Sequence, residues 1–479
     1  STERSTSAVV VDQFDTENRS AGPSPQAAAT PIALLAPQNG ENRAALGFDM
    51  YSEPLRRQAF DRARQVNDVQ FDCLSASEFK QLSSMIERLI DIAADEMKID
   101  PSELRRRNTI PPTAMPYKTP LTFTYDSGRF EENMDRAMTL GDWTGFEARR
   151  KESAKRGLLR GIGLSNTIEQ AADPTYETAE IRFDPLGGMT FVTGSISHGQ
   201  GHATIQTQIL VDRLGVDPDA IKFVQGDTEA VAFGMGTGGS RSTTMSGGAI
   251  VMVADKVIAK GKKLAAHMLE AAEGDMEFKD GRFSIAGTDR GVGIHDVAKT
   301  AFKVDKLPPG MEPGLYETAT YRATSGNFPN GAHVCEVEID PETGVTNVVR
   351  YSVVDDVGTV MNPLLLKGQI VGGVAMGVGQ ILKEDINFDT SGQLTTGSFM
   401  DYAMPRAHDF CSIEVKANPV PTKTNPLGVK GAGEAGCVGA MPAVANALVD
   451  ALAEFGVKHI AMPATPEVVW RAISNGKAG

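Results

Sequence analysis

Cysteine is scarce. The 479 residues hold four, Cys73, Cys335, Cys411 and Cys437, and no two stand in a C-x-x-C spacing. Iron–sulfur clusters and structural zinc need grouped thiolates, so neither is expected in this chain, and the four read as inert core thiols. Long apolar runs are missing, and no segment is expected to cross a bilayer. The opening STERSTSAVVVDQF has no basic stretch followed by an apolar core, so no signal peptide is expected. Positive charge is in deficit. Lys and Arg number 47 against 61 Asp and Glu, a formal net charge of −14. A nucleic-acid binder needs a basic face, which this balance argues against. What remains is ordinary for a globular protein of the cytoplasm, with 41% apolar and 23% charged residues. The length allows two to four packed units and a sizeable core.

Four stretches organise the chain. Residues 1–40, with AGPSPQAAATP, read as linker or disorder. Residues 41–84 hold a helix begun by Ser52-Glu53-Pro54, with Leu55, Ala59 and Ala63 on one face, and the junction FDCLSASEFKQLSS. The NRAALGFD and EPLRRQAFDRAR stretches resemble part of a CHASE sensor domain, although an isolated amphipathic helix explains them too. Residues 85–118 open on a helical stripe of Ile86, Leu89, Ile90, Ile92 and Ala93. Asp100-Pro101 then caps a short helix ending in three arginines, and PPTAMPY breaks the chain. Residues 119–479 alternate short strands (AEIRFD, GMTFVTGS, IKFVQGD) with helices. HVCEVEIDPETGVTNVVRYSVVDDVG reads as a hairpin about Pro-Glu-Thr-Gly, GQIVGGVAMGVGQIL as a glycine-rich helix and AVANALVDALAEFG as a late helix. The class is α+β with mixed sheets and packed helices.

Glycine is abundant, with 49 residues, and its placement carries information. Four clusters, at 197–208, 233–248, 366–380 and 428–440, mix glycine with hydrogen-bonding side chains and adjoin expected helices. Glycine allows positive φ and a close approach of backbone to ligand. Successive N–H groups near a helix start bind anions, phosphate above all. Gln200, His202, Thr237, Ser240, Arg241, Ser242 and Gln369 add side-chain donors. Four such loops could wrap one large phosphate-bearing cofactor; the plainer reading is tight turns and close helix packing. None is a standard nucleotide motif: GxxxxGK[ST] is absent, and GVGQ and GQGH lack the strand–GxGxxG–helix setting. His198 and His202 have a zinc-like spacing, but Gly199, Gln200 and Gly201 between them argue against a helical metal pair. In GVKGAGEAG, residues 428–436, Glu434 is a lone carboxylate among residues almost without side chains. Shielded from water, such a group becomes a general base with room for substrate beside it; on a surface turn it is merely a solvated glutamate.

The same loops, in this order, resemble the molybdenum-binding large subunit of the xanthine dehydrogenase family, with the closest likeness to the aerobic carbon monoxide dehydrogenase large-chain group. The stretches that carry this are GQGHATIQTQILVDRLGVDPDAIKFVQGDT, GMGTGGSRST, VVDDVGTVMNP, LKGQIVGGVAMGVGQ, GSFMDYAMPRA and GVKGAGEAGCVGAMPAVANALVDAL, with ERLIDIAADEMKIDPSELRRRN before them. The resemblance runs from about Met85 to the C-terminus. It implies a molybdenum cofactor-binding fold, with 85–118 a remnant of a first molybdopterin-binding domain and 119–479 a second. It implies a molybdopterin cytosine dinucleotide cofactor contacted by Gln200, Gly201, His202, Thr237, Gly239, Ser240, Arg241, Ser242, Asp356, Gln369, Gly431 and Gly433. It further implies that the pterin dithiolene, not a protein ligand, holds the molybdenum, with Glu434 beside it as the catalytic base. The implied activity is that of a molybdenum hydroxylase like carbon monoxide dehydrogenase, xanthine dehydrogenase or aldehyde oxidase. Its implied partners are an iron–sulfur small subunit and an FAD medium subunit, in a dimer of heterotrimers. The family places a long N-terminal part and a YRGAGRPE-like loop before the ERLID helix, where this chain has FDCLSASEFKQLSS. A truncated, non-catalytic remnant of the family is therefore the second reading.

Overall fold

A computed structural model describes residues 78–119, 123–172 and 175–477. The expected linker over 1–40 and the CHASE-like segment over 41–65 lie outside them. The chain forms two compact units. The smaller includes Leu89–Thr109 and Lys118–Phe123. It contains the later part of helix α1 (Glu78–Met97) and helix α2 (Pro101–Arg106). The Asp100 side chain accepts from the N–H groups of Ser102 and Glu103, and Pro101 supplies a helix-ready φ at the first position. Arg105 reaches back 2.7 Å to Asp91.

The larger unit takes Phe79–Arg88, Ile110–Tyr117 and Thr124–Gly479. After helices α3 (Phe130–Leu140) and α4 (Phe146–Lys155) it is built on two four-stranded sheets. The strands β1 (Leu159–Ile168), β2 (Tyr176–Phe183) and β3 (Met189–Thr193) precede helix α5 (His202–Leu214), strand β4 (Ile221–Gln225) and the long helix α6 (Ser242–Met268). Further on come β5 (Tyr316–Arg322), the hairpin β6 (Asn330–Ile339) and β7 (Thr346–Asp356), helix α7 (Pro363–Leu382), β8 (Ile413–Ala417) and helix α8 (Ala435–Ala451). One sheet has the order β5-β2-β3-β4, antiparallel except for the β3–β4 pair. The other has the order β8-β7-β6-β1, antiparallel except for β7–β8.

Each sheet has its own core. Ile181, Phe191, Leu210, Ile250 and Val257 pack α5 and α6 on the first sheet. Cys335, Val353, Val374, Met441 and Ala447 pack α7 and α8 on the second. Two glycines make the second contact possible. A Cβ at Gly161 or Gly163 of β1 would lie 2.0 Å from the carbonyl oxygen of Ala447 or Ala443, so α8 rests directly on the strand backbone.

Two expectations need correction. The late helix, expected over 443–456, begins at Ala435 and carries Pro442 inside it. A proline there suggests a boundary, but the apolar face around it is buried, and that packing outweighs local propensity. Second, α7 is long and apolar enough, by length and composition, to span a bilayer, with a mean hydropathy of 1.3. Its Ile370, Val374, Val378 and Ile381 are buried in the core of the second sheet, while Leu364 and Met376 are exposed.

Candidate functional site

The starts of four helices converge on one cavity of about 340 Å³. Its walls include Gln200 and His202 at the start of α5, Ser242 and Thr243 at the start of α6, Asn362 and Leu365 at the start of α7, and Gly433 and Glu434 at the start of α8. Each helix start carries partial positive charge and N–H groups without intrahelical partners. Asn362 caps α7, accepting from the Leu365 N–H at 3.0 Å. The other three starts have no side-chain cap bond. The starts of α5 and α6 thus offer the cavity a setting that favours an anion, while the start of α8 brings the Glu434 carboxylate to it.

The glycines of the first two clusters line up with this. A Cβ at Gly199, Gly236, Gly238 or Gly239 would meet nothing within 4 Å. Positive φ calls for glycine at Gly199, Gly236 and Gly239, and Gly238 and Gly239 present bare backbone to the cavity. His202 is buried, and its Nδ1 has no hydrogen-bond partner. Burial first, and His198 second, lower its pKa from the usual imidazole value, while a bond to the Ile196 carbonyl engages the ring's other nitrogen as donor. The ring is thus neutral, with Nδ1 an acceptor that fits an N–H or O–H of a bound group.

Of the residues implied by the resemblance, Gln200, His202, Thr237, Gly239, Ser240, Arg241, Ser242, Gln369, Gly433 and Glu434 border this cavity. Their roles differ. Gln200 turns its amide oxygen back to accept from the His198 N–H. Ser242 donates to Thr237 Oγ1 at 3.2 Å, and Thr237 donates to the Ile196 carbonyl at 2.5 Å, tying the first two loops together. Arg241 borders the cavity, but its guanidinium is committed to the fold: it donates to the carbonyls of Tyr176 (2.6 Å) and Gly236 (2.9 Å) and pairs with buried Glu177. Burial pushes the Glu177 carboxyl up; the Thr178 N–H and Arg241 pull against it.

Asp356, Gly201 and Gly431 stand outside the lining. Asp356 was a cofactor contact by resemblance, yet its carboxylate is fully buried and bound by Lys430 Nζ at 2.6 Å, the N–H groups of Gly358 and Val420, both at 2.9 Å, and Asn330. It staples the loop of residues 428–434 to the end of β7. Gly431 serves close packing, since a Cβ there would lie 2.4 Å from the Ser240 carbonyl.

Glu434 is half-buried at the N-cap of α8. Gln369 of α7 donates to the Gly433 carbonyl at 2.9 Å, and the Glu434 N–H donates to Ser240 Oγ at 3.1 Å. Gly436 of α8 and Gly373 of α7 let the two helices touch: a Cβ on Gly436 would be 2.3 Å from the Ile370 carbonyl. The glycines around Glu434 therefore bring a helix start, and with it one carboxylate, flush against a second helix and a serine loop. A lone carboxylate in its own stretch of sequence, Glu434 has a second acid near it in the fold. Ser240 Oγ donates to Glu169 Oε1 at 2.7 Å and lies 3.4 Å from Glu434 Oε2. The stretch VVDDVGTVMNP carries the resemblance, yet no contact was expected from residues 359–362 within it; they line the cavity without a glycine cluster to mark them.

Comparison with known proteins shows what the chain is similar to. Residues 136–411 match the model of the molybdopterin cofactor-binding domain, and residues 3–71 match that of the CHASE domain. The carbon monoxide dehydrogenase large chain of Hydrogenophaga pseudoflava is 35% identical over 404 residues, covering 81% of this chain and 50% of that protein. The nicotine 6-hydroxylase large subunit of Paenarthrobacter nicotinovorans is 36% identical, covering 81% and 49%. The crystal structure of quinoline 2-oxidoreductase from Pseudomonas putida 86 aligns with a TM-score of 0.78 at 34% identity, covering 83% of this chain and 52% of that one. The chain spans about half the length of the curated relatives it matches.

Proposed function

This chain belongs to the molybdopterin cofactor-binding domain family, and from that premise we propose that it is the cofactor-holding, catalytic part of a molybdenum hydroxylase large subunit. Its reaction is the oxidation of a small substrate with oxygen derived from water. The electrons pass to iron–sulfur and flavin subunits, and the cofactor is the cytosine dinucleotide form of molybdopterin. The observation that carries the reading is the convergence of four helix starts, three without side-chain caps, on one glycine-lined cavity. A dinucleotide cofactor brings a pyrophosphate, the group such helix starts favour.

The residues fit this group. Open backbone at Gly238 and Gly239 gives a flat polar ligand room to lie against the loop. The buried Nδ1 of His202 offers an acceptor to a ring N–H. Gln369 and Ser240 hold the Glu434 backbone from two sides. When bound, the pterin dithiolene carries the molybdenum and supplies the two-electron chemistry. The part left to this chain is to orient the cofactor, shape the space beside Glu434 and accept a proton on that carboxylate.

The nucleotide is open to direct test. The chain, purified from cells that make molybdopterin dinucleotides, is expected to release CMP on acid hydrolysis, in a one-to-one ratio with oxidised pterin. Pterin without any nucleotide, or with GMP, would overturn the dinucleotide assignment.

A further inference from the structure

Glu169 follows β1 and is buried, with its N–H bonded to the Pro329 carbonyl at 2.9 Å. Nothing in its local sequence marks it as a site residue. The Ser240 hydroxyl contacts both it and Glu434. Ser240 stands at φ +50°, a backbone state that serine seldom adopts. The loop is held there from outside: the Ala172 N–H donates to the Gly239 carbonyl at 3.0 Å, and Gly431 packs on the Ser240 backbone. Local strain maintained by its surroundings is typical of functional sites.

A serine hydroxyl has one proton and two lone pairs. The 2.7 Å contact commits the proton to Glu169. One lone pair takes the Glu434 N–H at 3.1 Å. The other is left for the 3.4 Å approach of Glu434 Oε2. An ionised Glu434 has nothing to donate across that contact, whereas a protonated Glu434 donates its O–H into it. We propose that Glu169 is a positioning residue for Glu434: by holding the Ser240 proton, it turns a lone pair of Ser240 toward Glu434 and so favours the state in which Glu434 has taken up a proton.

This rests on the reading of Glu434 as the base. The other titratable side chains lining the cavity, among the described residues, are His202, Arg241 and Lys430. Arg241 is bound to Glu177 and Lys430 to Asp356, while His202 hydrogen-bonds to the Ile196 backbone. Ser240 Oγ is bonded to Glu169 and stands beside Glu434, so the Glu169 carboxylate acts on Glu434 through this hydroxyl.

The test reads the carboxyl directly. The full chain is labelled with 13Cδ-glutamate, the Glu434 signal is assigned by its loss in Glu434→Gln, and its chemical shift is followed against pH. In Glu169→Gln and in Ser240→Ala the Glu434 signal is expected to reach its ionised position at lower pH than in the unmutated chain. In the loaded enzyme, the acid limb of the kcat profile is expected to move the same way, with KM little changed. A Glu434 curve unchanged in both variants, with the fold intact, would overturn the proposal and leave Glu169 a structural clamp. A curve that shifts while Glu434→Gln keeps full turnover would uphold the coupling and refute Glu434 as the base, so the two failures separate.

Discussion

Replacing Glu434 with glutamine is expected to lower turnover by about 10²–10⁴-fold or more while molybdenum stays bound. The separation follows from how the residue is held. Its backbone is held by the Glu434 N–H bond to Ser240 Oγ, the Gln369 bond to the Gly433 carbonyl, and the contact of Gly436 with the Ile370 backbone. None of these involves the carboxylate. Glutamine keeps the shape and the backbone contacts and loses the proton acceptor. The measurement is steady-state turnover beside metal content on the same preparation. Unchanged turnover would refute the assigned role. Lost metal would show that the carboxylate serves to retain the cofactor.

Lys430→Met is expected to destabilise the larger unit by about 3–5 kcal/mol, the usual cost of removing one partner of a buried ion pair. Both side chains of the Lys430–Asp356 pair are fully buried, and Lys430 also donates to the Ser127 carbonyl at 3.2 Å. Without the lysine, an uncompensated carboxylate is left among Asn330, Gly358 and Val420. The second variant, Lys430→Met with Asp356→Asn, is expected to recover most of the loss, because the asparagine carbonyl still accepts from the two backbone N–H groups while the buried charge is gone. The check is the urea midpoint of each variant. A loss below about 1 kcal/mol in the single variant, the scale of an exposed pair, would show that the pair does not hold the 428–434 loop.

Much of the site is legible in the sequence because bare backbone and donor side chains stand out together. GMGTGGSRST, GQGH and GVKGAGEAG can each be picked out locally, and each borders the cavity. The strands AEIRFD and IKFVQGD and the hairpin about Pro-Glu-Thr-Gly declare themselves by alternation and turn chemistry, and they form as expected. What is not legible depends on partners distant in the chain. The start of α8 is hidden because Gly436, Gly439 and Pro442 all argue against a helix; contacts with Gly373 and with the His333 ring, invisible locally, decide otherwise. Asp356 looks like a ligand contact until Lys430 is seen to hold it. Arg241 looks like a donor for a phosphate until the β2 carbonyl and Glu177 are found around it. Glu169 lies in no cluster, and only the fold brings it to Ser240.

The central claim is that this glycine-lined cavity holds a molybdenum cofactor. Its most direct test is molybdenum per chain, by elemental analysis of the protein co-expressed with flavin and iron–sulfur partner subunits. The account predicts close to one molybdenum per chain. Protein that is folded, yet free of molybdenum and of pterin, would contradict it.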